Sequence, residues 1–553
     1  MKRRNFIKNI AAITGGAPFV INGLPTKVLG NNQYLTKSLS NSLQDNILIL
    51  IDLNGGNDGL NTLVPIDQYS LYQGLRTDLA IPETGSRKFI NLDTTLSLAD
   101  QVGIHPDMTN FKAMYENGLV NIVQGVGYEN TNGSHFRSRD IWFMGGSYNE
   151  VKNSGWMGRY LDYEYPNYPE AYPNENMPDP LGLEIGTKVS LGYHRSQGIP
   201  TALALNDPSN ISNLVSYLGG VNPENIPSNR YGSELQFIMD VYANTNDYAQ
   251  NIQDRYDNGS NHVNYPGGNN MQYPFACPPQ FVNNRLGPQL QTVARLINGG
   301  CKTKIYMVSI GGFDTHDSQV QNNNSTYGAH GALLYHFSNA VKAFFDDLKI
   351  SGKDENVIAM SFTDFGRRPF SNGSYGTDHG TSSPTFVFGK HVNPGVIGTN
   401  PSLSVFDNTG NLLIQNDYRQ ILTSVLCDWM GADNGALTAT HFEDYTDQKL
   451  DIIKKENDIN SIRRQRNNHF EVGVYPNPVE EILHLNIGMA ASAPVELKVY
   501  DFSGKLIIKE QHHLSADENK IHIQAGYLSS GFYTVQVTNT QNNISVGRKF
   551  LKK

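Results

Sequence analysis

The chain has 553 residues, room at roughly 150 residues per domain for about three to four structural units. Hydrophobic residues make up 39% and charged residues 17%, which excludes global disorder and leaves ample material for a large core. A net charge of -9 offers no attraction to phosphate backbones or anionic lipid surfaces, and no apolar run reaches the ~20 residues of a membrane helix. Nucleic acid is therefore not expected as a partner, and no transmembrane segment is expected in the mature form. The three cysteines, Cys277, Cys301 and Cys427, have no C-x-x-C spacing, which excludes a thiolate zinc site and a disulfide scaffold while leaving room for one Cys277–Cys301 bridge.

In chain order, Met1-Lys2-Arg3-Arg4-Asn5-Phe6-Ile7-Lys8 is basic and precedes a short apolar stretch broken by Gly15, Gly16 and Pro18. This is the pattern of an export signal over residues 1–30 and not of a span. Arg3-Arg4 with Phe6 and Lys8 resembles a twin-arginine signal, which implies the twin-arginine translocase as a partner. Residues 31–45 are rich in Asn, Ser and Thr and read as a tether.

Residues 46–440 alternate strand and helix patterns. Apolar runs at 47–53, 119–126, 305–310 and 357–362 read as buried strands, each opening into a loop rich in Gly and polar residues. Leu286, Leu290, Val293, Ala294 and Ile297 form one amphipathic helical face; Leu333, Leu334, Phe337, Val341, Phe344, Phe345 and Leu348 form another. The expected fold is α/β, a mostly parallel sheet with helices on both faces, and sites in such sheets lie beyond the carboxyl ends of the strands. Those ends carry Asp52, Ser134, Asp314, His316, Asp364, Asp378 and His379, oxygen and nitrogen donors without thiolate that suit one or two divalent ions, Zn, Mn or Mg. Two such ions ~3.5–4 Å apart would clamp the attacking and leaving oxygens of a phosphoryl or sulfuryl displacement.

Each candidate also has a structural reading. Asp52 can be a buried hydrogen-bond anchor, Asp364 can pair with Arg367 or Arg368, Asp378 can orient the His379 imidazole, and Ser134 can be a helix N-cap. Asn57 and Asp58 read as turn formers. The Tyr- and Asn-rich stretches at 160–180 and 251–279 suit a substrate rim or a sugar-binding surface. Residues 441–470 read as a linker, and 471–553 as a small all-β sandwich.

Several of these segments together resemble a known family. Ile51-Asp52-Leu53-Asn54-Gly55-Gly56-Asn57-Asp58-Gly59-Leu60-Asn61, Ser134-His135-Phe136-Arg137-Ser138, Gly311-Gly312-Phe313-Asp314-Thr315-His316, Asp364-Phe365-Gly366-Arg367-Arg368, Gly376-Thr377-Asp378-His379-Gly380 and Asp417-Tyr418-Arg419-Gln420 with Asp428-Trp429-Met430-Gly431 resemble the domain-of-unknown-function 1501 family over roughly residues 46–435. That family is similar in turn to the alkaline phosphatase and sulfatase superfamily. The resemblance implies an alkaline-phosphatase-like fold, with metal ligands at Asp52, Asp314, His316, Asp364 and His379 and a nucleophile at Ser134.

One slot departs from the superfamily pattern. Its Asp-His dipeptide stands here as Asp364-Phe365, so an imidazole ligand is missing, and either His135 or Asp378 takes its place or a single ion binds. No C/S-x-P-x-R segment occurs, which argues against a conventional sulfatase, and no G-x-S-x-G, which argues against a Ser-His-Asp esterase. The function so implied is a metal-dependent hydrolase of a phosphate or related anionic ester, small or glycan-linked, with Ser134 as nucleophile and Arg137 or Arg367 binding the equatorial oxygens. The alternative is a catalytically inactive surface protein of the same fold that binds a glycan or polymer. Near the C-terminus, Val474-Tyr475-Pro476-Asn477-Pro478, Val499-Tyr500-Asp501-Phe502-Ser503-Gly504-Lys505, Gly531-Phe532-Tyr533 and Lys549-Phe550-Leu551-Lys552-Lys553 resemble the sorting domain of the type IX secretion system of Bacteroidetes. That resemblance implies the type IX machinery as a partner and a destination at the cell surface or outside the cell.

Overall fold

The computed structural model describes residues 18–21, 24–27, 46–168, 171–196, 198–205, 248–322, 324–454 and 470–553, the last with gaps at 490–491, 502–504, 516 and 542–543. The twin-arginine segment and the whole of the expected tether lie outside the described residues, as do residues 455–469 of the expected linker. Two compact units divide the chain, Met1–Ile453 and Lys454–Lys553.

In the first unit, Ile47–Asn54 forms strand β1 because its β-branched and Leu side chains can be buried on both faces of a sheet. Ile47, Ile49, Ile51 and Leu53 enter one core and Leu48 and Leu50 the other. The remaining strands of this sheet are β2 (Val120–Gly127), β3 (Gly182–Ile185), β4 (Ala202–Leu205), β5 (Ile305–Gly311), β6 (Val357–Phe362), β7 (Ser383–Phe388), β8 (Gly395–Ile397) and β9 (Asn416–Asp417). They lie in the order β8-β2-β7-β6-β1-β5-β3-β4, with β9 also on β2. The four strands expected from the sequence are β1, β2, β5 and β6. Three of them, β6, β1 and β5, are parallel neighbours at the centre of the sheet.

Strand β7 is antiparallel to both of its neighbours, which makes the sheet mixed. The reason is local. The chain leaves the carboxyl end of β6, folds residues 363–382 into a loop above that end, and re-enters the sheet from the same side as β7. Helices α1 (His135–Met144) and α4 (Tyr418–Asp428) cover one face through Ile141, Trp142, Ile421 and Val425. Helices α2 (Gly287–Asn298) and α3 (Ala329–Ile350) cover the other with the apolar faces the sequence predicts, all of whose members are buried. Each fully buried Leu, Ile or Phe contributes roughly 1.5–3 kcal/mol, so the two covered faces hold the central strands in place. All three cysteines are free thiols, so the Cys277–Cys301 bridge does not form.

The second unit is two antiparallel sheets around one core. Phe470–Tyr475, Ile482–Met489 and Asp517–Gln524 make a three-stranded sheet; Leu506–Leu514, Ala493–Asp501, Gly531–Asn539 and Ile544–Lys552 make a four-stranded one. Leu483, Leu485 and Ile487 from the first meet Val495, Leu497, Val535 and Val537 from the second, each strand contributing every other residue as a sandwich requires. Among the described residues, no helix is long and apolar enough to cross a membrane.

Candidate metal centre

The carboxyl ends of β1, β5 and β6 and the start of α1 converge, and a web of backbone bonds holds their loops in register. Gly366 N–H donates to Thr381 O at 3.0 Å, Gly380 N–H to Gly366 O at 2.8 Å and Arg368 N–H to Asp378 O at 3.0 Å, which zips residues 364–368 against 378–381 and places His379 opposite Arg367. Thr377 N–H donates to Thr315 O at 3.1 Å and ties this pair to the loop after β5.

Arg367 is fully buried at the junction. Its Nε donates to Gly56 O at 2.8 Å, its Nη1 to Thr377 O at 2.9 Å, and its Nη2 to Gly55 O, Phe313 O and Asp314 Oδ1, the last at 2.6 Å. One guanidinium thus fastens the three loops that carry the site, as its rigid fork of donors allows.

Asp314 Oδ1 is the meeting point. Besides Arg367 it lies 2.8 Å from His316 Nδ1, 3.2 Å from His379 Nε2 and 3.3 Å from His135 Nε2. Partial burial works against its charge, but the Arg367 guanidinium, through its hydrogen bond and its charge, holds its carboxyl below the ordinary carboxylate range. Donor atoms of His135, Asp314 and His379 all fall within 4.8 Å of one another, a set that can hold a metal ion.

The tautomers of both imidazoles follow from what their other nitrogens touch. His379 Nδ1 is 2.7 Å from Gly133 O, which can only accept, so Nδ1 carries the proton. His135 Nδ1 is 2.7 Å from Asp364 Oδ2 and donates to that carboxylate in the same way. In each neutral ring the Nε2 lone pair then faces Asp314. Two lone pairs aimed at a carboxylate oxygen are satisfied only by a cation among them or by a second proton on each ring. Burial lowers the His379 pKa, which disfavours a second proton on that ring, whereas the hydrogen bond to Asp364 raises that of His135 and favours one there. The donor set and its outer partners, an imidazole on a carboxylate and one on a carbonyl, fit a divalent metal.

A second cluster lies beneath. Asp52 has the same parity on β1 as Leu48 and Leu50, so it points at the face covered by α1, and Arg139 of that helix reaches Asp52 Oδ2 at 3.3 Å. Asp364, two residues past the end of β6 and fully buried, lies 4.0 Å from Arg139 Nε through Oδ1. Asn54, with its amide turned to suit its neighbours, accepts from Arg139 Nη1 at 2.8 Å and Nη2 at 3.1 Å. Burial pushes the Asp52 carboxyl up to about 7, opposed by Arg139 and reinforced by the charge of Asp364.

The structure therefore brings together Asp52, Asp314, His316, Asp364 and His379 of the residues singled out in the sequence. Asp364 pairs with His135, not with Arg367 or Arg368. Asp378 is exposed and its Oδ1 accepts from Asn372 at 3.2 Å, while the Arg137 guanidinium donates outward to Tyr148 O and Glu150 O. Ser134 is the N-cap of α1, with Oγ accepting from Arg137 N–H at 3.4 Å, and it is exposed next to the Gly133 carbonyl that His379 binds. Asp58 is no turn former: it is buried and ion-paired with Arg76 at 2.6 Å. Sequence reasoning missed Arg139 and held His135 only as a substitute. Their spacing, four residues apart on one helix, places both on the same face and was the available signal.

The comparisons with known proteins follow this division of the chain. Residues 282–446 match the family described as protein of unknown function (DUF1501), and residues 473–553 match the secretion system C-terminal sorting domain. The DUF1501 match includes Asp314, His316, Asp364, Arg367 and His379 but begins after Asp52, Ser134, His135 and Arg139. The sorting domain directs it through the type IX secretion machinery to the cell surface or the extracellular space. No curated protein matches.

Among solved structures, dimeric latent PorU from Porphyromonas gingivalis matches at 19% identity over 15% of this chain and 9% of that one, with a TM-score of 0.14. PorZ of the same organism, a surface component of its type IX secretion system, matches at 18% identity over 18% and 13%, with a TM-score of 0.12. The chain spans about a tenth of the length of these two. A protein of the alkaline phosphatase superfamily from Vibrio parahaemolyticus matches at 9% identity over 99% of this chain and 91% of that one, with a TM-score of 0.29.

Proposed function

We propose that this protein is an exported, metal-dependent hydrolase of phosphate or related anionic esters. The observation that carries the reading is the pair of imidazoles, His135 and His379, whose Nδ1 protons are committed to Asp364 and Gly133 O, leaving both Nε2 lone pairs facing Asp314. His135, Asp314 and His379 would hold a divalent ion, with His316 beside them. Such an ion, when bound, supplies Lewis-acid polarisation of the ester and neutralises its charge.

The chain's own residues supply the rest. Ser134 presents a hydroxyl at the N-terminus of α1, where the unpaired N–H groups and the helix dipole favour an anion. Its carbonyl neighbour Gly133 is pinned by His379, which keeps that hydroxyl beside the cluster. Arg367 fixes Asp314 and leaves anion binding to donors outside its own clamp. Phe136 is 86% exposed on the first turn of the same helix and offers an apolar surface to the organic part of an ester.

Elemental analysis of the purified chain, followed by a panel of aryl phosphates, phosphodiesters and sulfate esters, tests this. The native chain is expected to carry a divalent ion and to hydrolyse at least one ester class; Asp314→Ala and His379→Ala lose both the ion and the activity. A metal-free chain, inactive on the whole panel and binding glycans tightly, favours the non-catalytic surface protein instead.

A further inference from the structure

The lower cluster holds two buried carboxylates, and one oxygen of each, Asp52 Oδ1 and Asp364 Oδ1, has no hydrogen-bond partner among the described residues. Asp52 is 2% exposed and the Asp364 side chain 0%, so bulk solvent does not reach them. Charge on either acid requires positive charge close by, since an isolated buried carboxylate costs far more than a hydrogen bond returns. Arg139 supplies it incompletely. Its Nη2 is 3.3 Å from Asp52 and its Nε 4.0 Å from Asp364, beyond hydrogen-bonding distance, and that Nε is itself without an acceptor. The guanidinium thus occupies the space between two carboxylates and an imidazole while leaving a free oxygen on each acid.

We infer that Arg139 is a tethered cation standing where a second divalent ion would otherwise bind between Asp52 and Asp364. The site then takes a single exchangeable ion, at His135, Asp314 and His379, and the lower position is neutralised permanently by the protein. The inference rests on the proposed metal centre for its first ion but stands on separate residues. Arg139 is a positioning residue in this account: it stands against Asp364, whose other oxygen accepts from His135 Nδ1, and so keeps the His135 lone pair turned toward Asp314.

Zn²⁺ content after loading and desalting of the full chain decides it, with circular dichroism confirming the fold of each variant. The native chain is expected to retain one equivalent, Arg139→Ala two, and Arg139→Lys one. Asp52→Asn combined with Arg139→Ala returns the count to one. Should Arg139→Ala not fold, Arg139→Met, which keeps the length of the stem near the Phe143 ring, carries the same expectation of two. Two equivalents in the native chain, or an unchanged count in a folded Arg139→Ala or Arg139→Met chain, overturns the inference. A native chain with no ion sinks the hydrolase reading instead; the inference then stands if the Arg139 variant takes up one ion and falls if it takes up none.

Discussion

At the scale of single residues, the site is organised by which nitrogen of an imidazole has a partner. His330 shows the same logic away from the metal centre. Its Nε2 donates to Asn57 Oδ1 at 3.0 Å, while its Nδ1 is buried without a partner. Burial therefore lowers its pKa to about 4. The unfolded chain, with an ordinary imidazole near 6.5, binds the proton that the folded chain refuses, so the contribution to stability is complete above pH 6.5 and is lost as pH falls toward 4. Between pH 6.5 and 5 the loss is roughly 2 kcal/mol, which lowers the melting temperature of a domain this size by a few degrees. His330→Gln keeps a donor for Asn57 without a titrating group, and thermal melts of that variant are expected to be flatter over the same interval. An equally steep acid limb in both chains would show that His330 is not the group responsible.

At the scale of elements, the loops that bear the ligands touch so closely that side chains cannot be tolerated between them. Gly55, just past β1, has a φ of +122°, and a Cβ there would lie 2.3 Å from Asp314 N and 2.8 Å from Phe313 C. Both are backbone atoms, so the loop after β5 would have to move. Gly55→Ala is expected to cost about 1–3 kcal/mol of stability and to weaken metal binding at least tenfold, because Asp314 moves with its backbone. Gly74, in the helix Tyr69–Leu75, meets nothing within 4 Å, and Gly74→Ala should leave binding alone and raise the melting temperature slightly. Titration of both variants with Zn²⁺ separates a geometric effect at the site from a general loss of fold.

At the scale of the whole molecule, two units with separate cores divide the work: one carries the candidate site, the other carries the address. Removing residues 473–553 should leave the melting transition of the first unit unchanged while the protein stays inside the cell, as fractionation and protease accessibility of intact cells would reveal. Surface exposure that survives this deletion would assign the address to another segment.

Period and composition were enough to announce the α/β sheet, its four principal strands and the buried faces of α2 and α3, because a strand covered on both sides and a helix covered on one leave direct traces in residue order. The candidates Asp52, Asp314, His316 and Asp364 were legible for the same reason, each standing at or near the end of a predicted strand, and His379 from the polar Gly-rich segment that follows the last of them. Strand β7 and its reversed direction were not, since nothing in residues 363–382 states from which side the chain re-enters the sheet. Nor was the pairing of charges. Residue order offered Arg367 to Asp364, whereas the folded chain gives Arg367 to Asp314 and joins Asp364 to His135 and Arg139, from a helix more than two hundred residues earlier. Patterning along the chain thus decided which groups arrive at the rim of the sheet. Which of them meet depends on distances across the sheet and on the burial that forces every charge to find a partner, and those exist only in the tertiary structure.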